Sequence, residues 1–357
     1  MNIKVFMSSE QRIIKTALLS YGMSGKIFHA PFLDLHPGFE ITGSWERSRK
    51  LIQQDFPHVK SYPSLEAVLE DKEVELVIVN TPIDSHFEYT KKVLLAGKHA
   101  VVEKAFTATA AEAKELKALA DEKGLKLSVF QNRRWDSDFK TVKKIVKQGL
   151  LGDLVEVTFS YEQHSPELNA KAHLETPTPG SGLLKDRGSH VTDQALYLFG
   201  MPDAVFADLR TVRPGSLVND YFELLLYYDK LRVRLKGGFI AREAVPAYVL
   251  QGLKGSFLKS RGDLQEDKLV AGEKPNTEDW CTEPEEKEGI LHTEQNGVVI
   301  REKVKTEKGN YLDYFEGVYQ AIVNNKTEPV TAADGVNTMT VLEAAILSHE
   351  EKRVVVL

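Results

Sequence analysis

The stretch VVEKAF (101–106) ends an apolar run on a charged pair, Glu103–Lys104. Charge at the end of an apolar parallel strand is costly unless it lies at the strand's C-terminal edge, where such sheets bind ligands. A lysine placed there can hold a substrate hydroxyl and steady an alkoxide as it develops. A strand-end lysine that merely reaches water is the plainer description. A second stretch, GSGLLKDRGSHVTDQALYLFG (180–200), carries Asp186, His190 and Asp193. If a helix runs through them, all three lie along one side. A histidine titrates near neutrality and suits the proton of an alcohol, and a carboxylate beside it can orient the ring or bind a sugar hydroxyl. A capped helix with a satisfied histidine is the alternative.

A third stretch, SYGMSG (20–25), resembles the G-x-G-x-x-G turn of dinucleotide sites with Ser20 in the first glycine's place. In such a turn Gly22 lets the backbone approach a pyrophosphate. Gly25 permits close helix–strand packing, and the helix N-terminus offers N–H groups to the anion. Serine tolerates fewer dihedral angles than glycine but is not excluded. Glu46 falls at the end of the second expected strand, where a carboxylate accepts hydrogen bonds from adenosine ribose hydroxyls. That favours NAD over NADP. Arg47, Arg49 and Lys50 follow at once and suit a 2′-phosphate, so both cofactors stay open, with a lean to NAD.

The elements that must position these residues alternate through the first third of the chain. Strands are expected at 12–20, 39–46, 74–82, 98–105 and 126–131. Helices are expected at 25–35, where Pro31 marks a short or broken one, then in SRKLIQQDF (48–56), in SHFEYTKKVLLAG (85–97) and from Thr109 to Lys123. Apolar strands alternating with helices mean a parallel sheet covered on both faces. The fold class is α/β: a Rossmann-type doubly wound domain over 1–132, then an α+β domain with a large, mostly antiparallel sheet over 133–357. Residues 133–149 read as an amphipathic helix whose lysines (140, 143, 144, 147) form a solvated face. Late helices are expected at 311–325 and 336–350, and long surface loops through the polar segment 260–310.

Composition narrows the function. A net charge of −6 argues against nonspecific nucleic-acid binding, and the single cysteine, Cys281, rules out an intrachain disulfide. No apolar run approaches the roughly 20 residues that span a bilayer, and no signal-peptide pattern opens the chain, so a cytoplasmic protein is expected. There is no H-E-x-x-H, no cysteine cluster, no G-K-[ST] loop and no G-x-S-x-G frame, and no metal is assigned.

The turn at 20–25, EKA at 103–105, QNRRWD at 131–136 and GLLKDRGSHVTDQALYLFG (182–200) together resemble the Gfo/Idh/MocA oxidoreductases, with the branch of NADP-dependent scyllo-inositol dehydrogenases the nearest in look. The resemblance spans nearly the whole chain. It implies a catalytic lysine at Lys104 and an Asp and a His at Asp186 and His190. It implies oxidation of a secondary alcohol on a sugar or cyclic polyol, with NAD or NADP taking the hydride. The expected cofactor contacts are Ser20, Gly22, Met23, Ser24, Gly25, Glu46, Arg47, Asn80, Thr81, Pro82, His86, Glu103, Lys104 and Arg133. Ser20 stands where the family has glycine, and Ala105 where its E-K-P motif has proline. Self-association as a homodimer or homotetramer through the C-terminal sheet is expected. Two other activities stay open: a glycosidase that oxidises its sugar transiently on bound NAD, and a non-catalytic nucleotide or sugar sensor. Retention of both Lys104 and His190 counts against the sensor.

Overall fold

The computed structural model describes residues 12–46, 49–169, 175–275 and 280–357. The run IKTAL forms β1 (Ile14–Leu18), and a π-helical turn over Ser24–His29 leads into α1 (Ala30–Leu35). The single helix expected at 25–35 is thus two pieces. Pro31 falls in the first turn of α1, where its missing N–H leaves no helical bond unmade. There follow β2 (Phe39–Trp45), α2 (Ile52–Asp55), β3 (Lys60–Tyr62), α3 (Leu65–Glu70), β4 (Leu76–Val79), α4 (His86–Leu95), β5 (His99–Val102), α5 (Ala110–Lys123) and β6 (Leu127–Val129). β3 is short and polar, and α3, which the sequence reading did not include, buries Leu65 and Val68 behind an N-cap at Ser64.

Among the described residues these six strands are all parallel, in the order β3-β2-β1-β4-β5-β6. Strand order reverses between β1 and β4, which opens a crevice at their C-terminal ends. Every residue of β4 is buried, the physical reason it reads as unbroken apolar sequence. Thr109 and Glu112 close a capping box at the start of α5, and Gly124 ends it with a left-handed φ of 63°.

The second half contains α6 (Ser137–Lys147), β7 (Leu154–Glu162), α7 (Ser189–Phe199), β8 (Ala204–Arg210), β9 (Tyr221–Tyr227), β10 (Arg232–Gly238), β11 (Tyr248–Gly252), β12 (Gly255–Lys259), α8 (Gln265–Val270), β13 (Gly289–Gln295), β14 (Val298–Val304), α9 (Leu312–Asn324), α10 (Ala332–Glu351) and β15 (Val355–Val356). Among the described residues, nine strands form one sheet in the order β14-β13-β12-β11-β7-β10-β9-β8-β15. All neighbours are antiparallel except β7 and β10.

The expectation of long surface loops over 260–310 is overturned. That segment holds α8 and the β13–β14 hairpin, closed by Asn296 and Gly297 at φ 52° and 78°. Asn-Gly with two positive φ values is the turn that matches strand twist. The polar composition hid it because β14 is largely exposed on both faces. The segment is pinned by a fully buried Lys259–Glu283 ion pair. A Thr331–Asp334 capping box starts α10 earlier than the expected residue 336.

The C-terminal helices return to the first sheet. Phe315 of α9 stacks on Phe32 of α1 at 5.8 Å, and Ser128 of β6 donates to the Val330 carbonyl at 2.8 Å. The nine-stranded sheet buries Val157, Phe159, Leu224, Leu226, Val233 and Leu235 on one face. In register across its other face run Phe206, Leu225, Arg234, Thr158, Val249 and Leu258. Among the described residues no helix is long and apolar enough to cross a membrane.

Candidate active site

The fingerprint turn folds as its sequence demands, with a local substitution for the absent glycine. Ser20 Oγ accepts the Gly22 amide at 3.2 Å, and the Ser20 carbonyl accepts from Asn80 Nδ2 at 2.8 Å. Ser20 does not adopt a left-handed φ, so serine carries no backbone strain there. A Cβ on Gly25 would meet the Ser20 carbonyl oxygen at 2.4 Å, so glycine is required for packing. A Cβ on Gly22 would meet only Ser20 Oγ, at 3.5 Å, so the protein itself leaves space beside the Gly22 backbone. A groove of about 440 Å³ runs beside this turn, lined by Ser20, Tyr21, Gly22, Trp45, Glu46, Arg49, Thr81 and Pro82 among others. Its position at the β1/β4 switch point, the space beside the Gly22 backbone and the flanking charged groups fit a dinucleotide.

At the groove's far end, Glu46 is already engaged. Its two oxygens accept the Leu51 and Ile52 amides at 2.9 and 3.0 Å, which caps the first turn of α2. Arg49 also lines the groove, whereas the expected contact Arg47 lies outside the described residues.

Lys104 sits just past β5, on the edge where the groove opens, and its peptide bond to Ala105 is cis. Its ammonium donates to the Asp186 carboxylate, which belongs to a π-helical turn over Leu184–Gly188 just before α7. Burial alone would lower the Lys104 pKa, but Asp186 outweighs it and holds the amine charged. Burial likewise opposes Asp186 ionisation, and Lys104 reverses that to hold its pKa below the usual range. His190 is 6% exposed, and its Nδ1 lies 3.0 Å from Gln131 Oε1. Gln131 Nε2 donates to the Ser189 carbonyl at 3.4 Å, which leaves Oε1 as acceptor. Nδ1 therefore carries the proton and Nε2 the free lone pair. Burial, then the cations Lys104, Arg133, Arg261 and Arg187, push the His190 pKa well below 6.5, so the ring is neutral at pH 7.

Lys104 from the end of β5 and Asp186 and His190 from the turn and helix of α7 are therefore brought together. The orienting partner of His190 is not a carboxylate, as the sequence suggested, but Gln131. This residue was missed, although a glutamine ending the apolar strand KLSVFQ obeys the same logic that singled out Lys104.

Asp193 does not share the site. It forms a bidentate pair with Arg134 at 2.7 and 2.8 Å, both side chains nearly fully buried, and the guanidinium lies 4.6 Å from the Tyr197 ring. The expectation that Asp186, His190 and Asp193 face one way fails because the π-helical turn precedes α7 and Arg134 draws Asp193 toward the segment after β6.

The other expected cofactor contacts divide into groove and frame. Thr81 and Pro82 line the groove, and Asn80 braces the turn. The Glu103 carboxylate takes Ser24 Oγ, His29 Nε2 at 2.9 Å and the Lys104 amide at 3.2 Å, tying the fingerprint helix to the lysine. Burial opposes its ionisation, and the His29 and Ser24 bonds overcome that to lower its pKa. His86 is fully buried, with its ring nitrogens 2.7 and 2.9 Å from the Thr81 and Ala105 carbonyls, so it braces the groove wall. Arg133 pairs with Glu266 and donates to Tyr311 Oη at 3.0 Å. Met23, half exposed, is absent from the groove lining.

Residues 14–131 match the oxidoreductase-family NAD-binding Rossmann fold of the Gfo/Idh/MocA proteins, and residues 143–357 match that family's C-terminal alpha/beta domain. The chain is 41% identical over 344 residues to scyllo-inositol 2-dehydrogenase (NADP(+)) IolW of Bacillus subtilis strain 168, covering 96% of each. It is 35% identical over 339 residues to the uncharacterized oxidoreductase YdgJ of Escherichia coli K12, covering 95% of this chain and 97% of that one. Among solved structures, the yvaA protein of Bacillus subtilis superposes with a TM-score of 0.92 at 40% identity, over 98% of this chain and 100% of that one. With a parallel nucleotide-binding sheet, a mostly antiparallel second sheet and both family signatures along its length, the chain belongs to the Gfo/Idh/MocA family of NAD(P)-binding oxidoreductases.

Proposed function

We propose that the protein is a dehydrogenase that interconverts a secondary alcohol and its ketone on a sugar or cyclic polyol. The observation that carries this is the meeting of Lys104 and Asp186 with the neutral, tautomer-fixed His190 at the mouth of the nucleotide-binding sheet. A nicotinamide dinucleotide, when bound, supplies the hydride acceptor or donor. His190 Nε2 takes the proton from the carbinol oxygen. Lys104 donates a hydrogen bond to that oxygen and so favours its developing negative charge. Asp186 holds the lysine in place and, being about half exposed, has acceptor capacity left for a neighbouring hydroxyl. Ketone reduction runs the same proton in reverse.

Glu46 alone argues for NAD, but each of its oxygens already accepts an α2 amide, and Arg49 lines the groove where it can meet a 2′-phosphate. This supports NADP as the better cofactor, in keeping with the cofactor named for the Bacillus subtilis relative. The mixed apolar and charged row on the outer face of the nine-stranded sheet supports self-association with a second copy of the chain. A Phe206→Glu variant is expected to run as a smaller species in light scattering.

The direct test is a panel of inositols, aldoses and sugar acids, followed by nicotinamide absorbance with NAD and NADP separately. Reduction of either cofactor by at least one sugar or polyol, abolished in Lys104→Met and His190→Ala, is expected. Cleavage of an aryl glycoside without net cofactor reduction would instead establish the glycosidase.

A further inference from the structure

Arg187 stands between Asp186 and His190 in the chain, in the turn that leads into α7. Its guanidinium lies 4.9 Å from the Tyr161 ring centroid and 4.6 Å from that of Phe239. Arg261, just beyond β12, covers the same Tyr161 ring at 4.1 Å and donates to the Ser160 carbonyl at 3.1 Å. Among the described residues neither guanidinium forms an ion pair, and Arg187 Nη1 is buried without any hydrogen-bond partner. The arginines around them are matched: Arg213 by Asp220 and Glu175, Arg134 by Asp193, and Arg133 by Glu266.

A guanidinium does not shed its proton, so a desolvated and unmatched one is costly, and aromatic faces compensate only in part. Two partly buried guanidiniums converge here, neither in an ion pair, and both lower the proton affinity of His190. The neighbouring charges otherwise cancel, with Lys104 against Asp186 and Arg133 against Glu266. Asp138 and Asp136 act on Arg261 only at longer range, and burial pushes Asp136 well above the usual carboxylate range. Asp186 acts on Arg187 as well as on Lys104, so one carboxylate faces two cations, and neither Arg187 nor Arg261 has an ion-pairing acid of its own among the described residues. A pocket for an uncharged polyol has no use for that surplus, whereas an oxyanion meets two planar donor forks.

We propose that the substrate carries a carboxylate or phosphate ester, bound by Arg187 and Arg261, while His190 and Lys104 address a carbinol carbon of the same molecule. This rests on the dehydrogenase reading above and narrows its substrate class.

The test compares D-glucuronate and D-glucose 6-phosphate with D-glucose and scyllo-inositol, in the wild type and in Arg187→Met and Arg261→Met. In the wild type, kcat/KM for one of the two anions should exceed that for the uncharged sugars by on the order of 100-fold, the scale of a lost charge-assisted pair. Which anion it is separates a carboxylate from a phosphate. In either variant the advantage should collapse, mainly through KM. Because Arg187 forms no ion pair and its Nη1 is buried without a hydrogen-bond partner, Arg187→Met, which keeps an apolar chain against Tyr161 and Phe239, should leave the melting temperature nearly unchanged. Equal turnover of uncharged and anionic sugars, or an anion preference that survives both substitutions, overturns the proposal. Should no sugar be oxidised, the dehydrogenase reading fails for this panel, and the anion site is judged by calorimetry of the cofactor-loaded full chain. D-glucuronate or D-glucose 6-phosphate binding that Arg187→Met abolishes sustains it, and titrations alike in wild type and variant overturn it.

Discussion

His190 Nδ1 and Gln131 Oε1 lie 3.0 Å apart, although 59 residues separate them in the chain. This contact joins the end of the nucleotide-binding sheet to α7 and decides which imidazole nitrogen carries the proton and which keeps its lone pair. Gln131→Leu should therefore lower kcat by up to about 100-fold, the cost of a mis-set reacting group, with cofactor affinity preserved. Gln131→Glu should move the acid limb of the rate profile upward, because a carboxylate stabilises the imidazolium; a purely structural glutamine would leave that limb in place.

The pH dependence follows from the same ring. An imidazole with its ordinary pKa of 6.5 would lose its base function as pH falls through that value. Burial and four cations depress the His190 pKa, so alcohol oxidation should persist below pH 6.5 and fail only further into acid. Removing one cation in Lys104→Met should raise the pKa, which an NMR titration of the His190 ring reads even where turnover is lost.

The two fingerprint glycines should respond differently to alanine. Gly22→Ala leaves the free protein's melting temperature unchanged, because its Cβ meets nothing nearer than 3.5 Å, but weakens dinucleotide binding. Gly25→Ala drives a methyl into the Ser20 carbonyl at 2.4 Å and should lower the melting temperature as well. Thermal unfolding with and without NADP separates the two.

Asp186 and Asp193 should separate function from stability. Asp193→Ala removes both short carboxylate bonds to the buried Arg134 guanidinium, leaving Asp334 at 3.6 Å, and should cost about 3 kcal/mol of stability by denaturant titration. Asp186→Ala should reduce turnover with little change in the unfolding midpoint, since its carboxylate is half exposed.

Arg49→Ala should weaken NADP binding by about tenfold while leaving NAD affinity nearly constant, measured by fluorescence titration. Equal effects on both cofactors would return the preference to NAD and to Glu46.

The alternation of apolar runs with helical segments determined the parallel sheet, because a strand buried on both faces must be apolar throughout, as β4 is. The same local reasoning found Lys104, half of a charged pair at the end of such a strand, and the turn whose Gly22 lines the groove while Gly25 packs against Ser20. It failed where composition misled, in the Asn-Gly hairpin that closes β13 and β14 amid polar residues. Only the tertiary structure decided which buried polar groups pair. Asp193 turns to Arg134, Gln131 takes the place expected of an aspartate beside His190, and Arg187 and Arg261 meet over Tyr161 with no ion pair to either among the described residues. Hydrophobic periodicity is written into neighbouring residues and survives without a fold, whereas a buried hydrogen bond depends on the packing of elements dozens of residues apart.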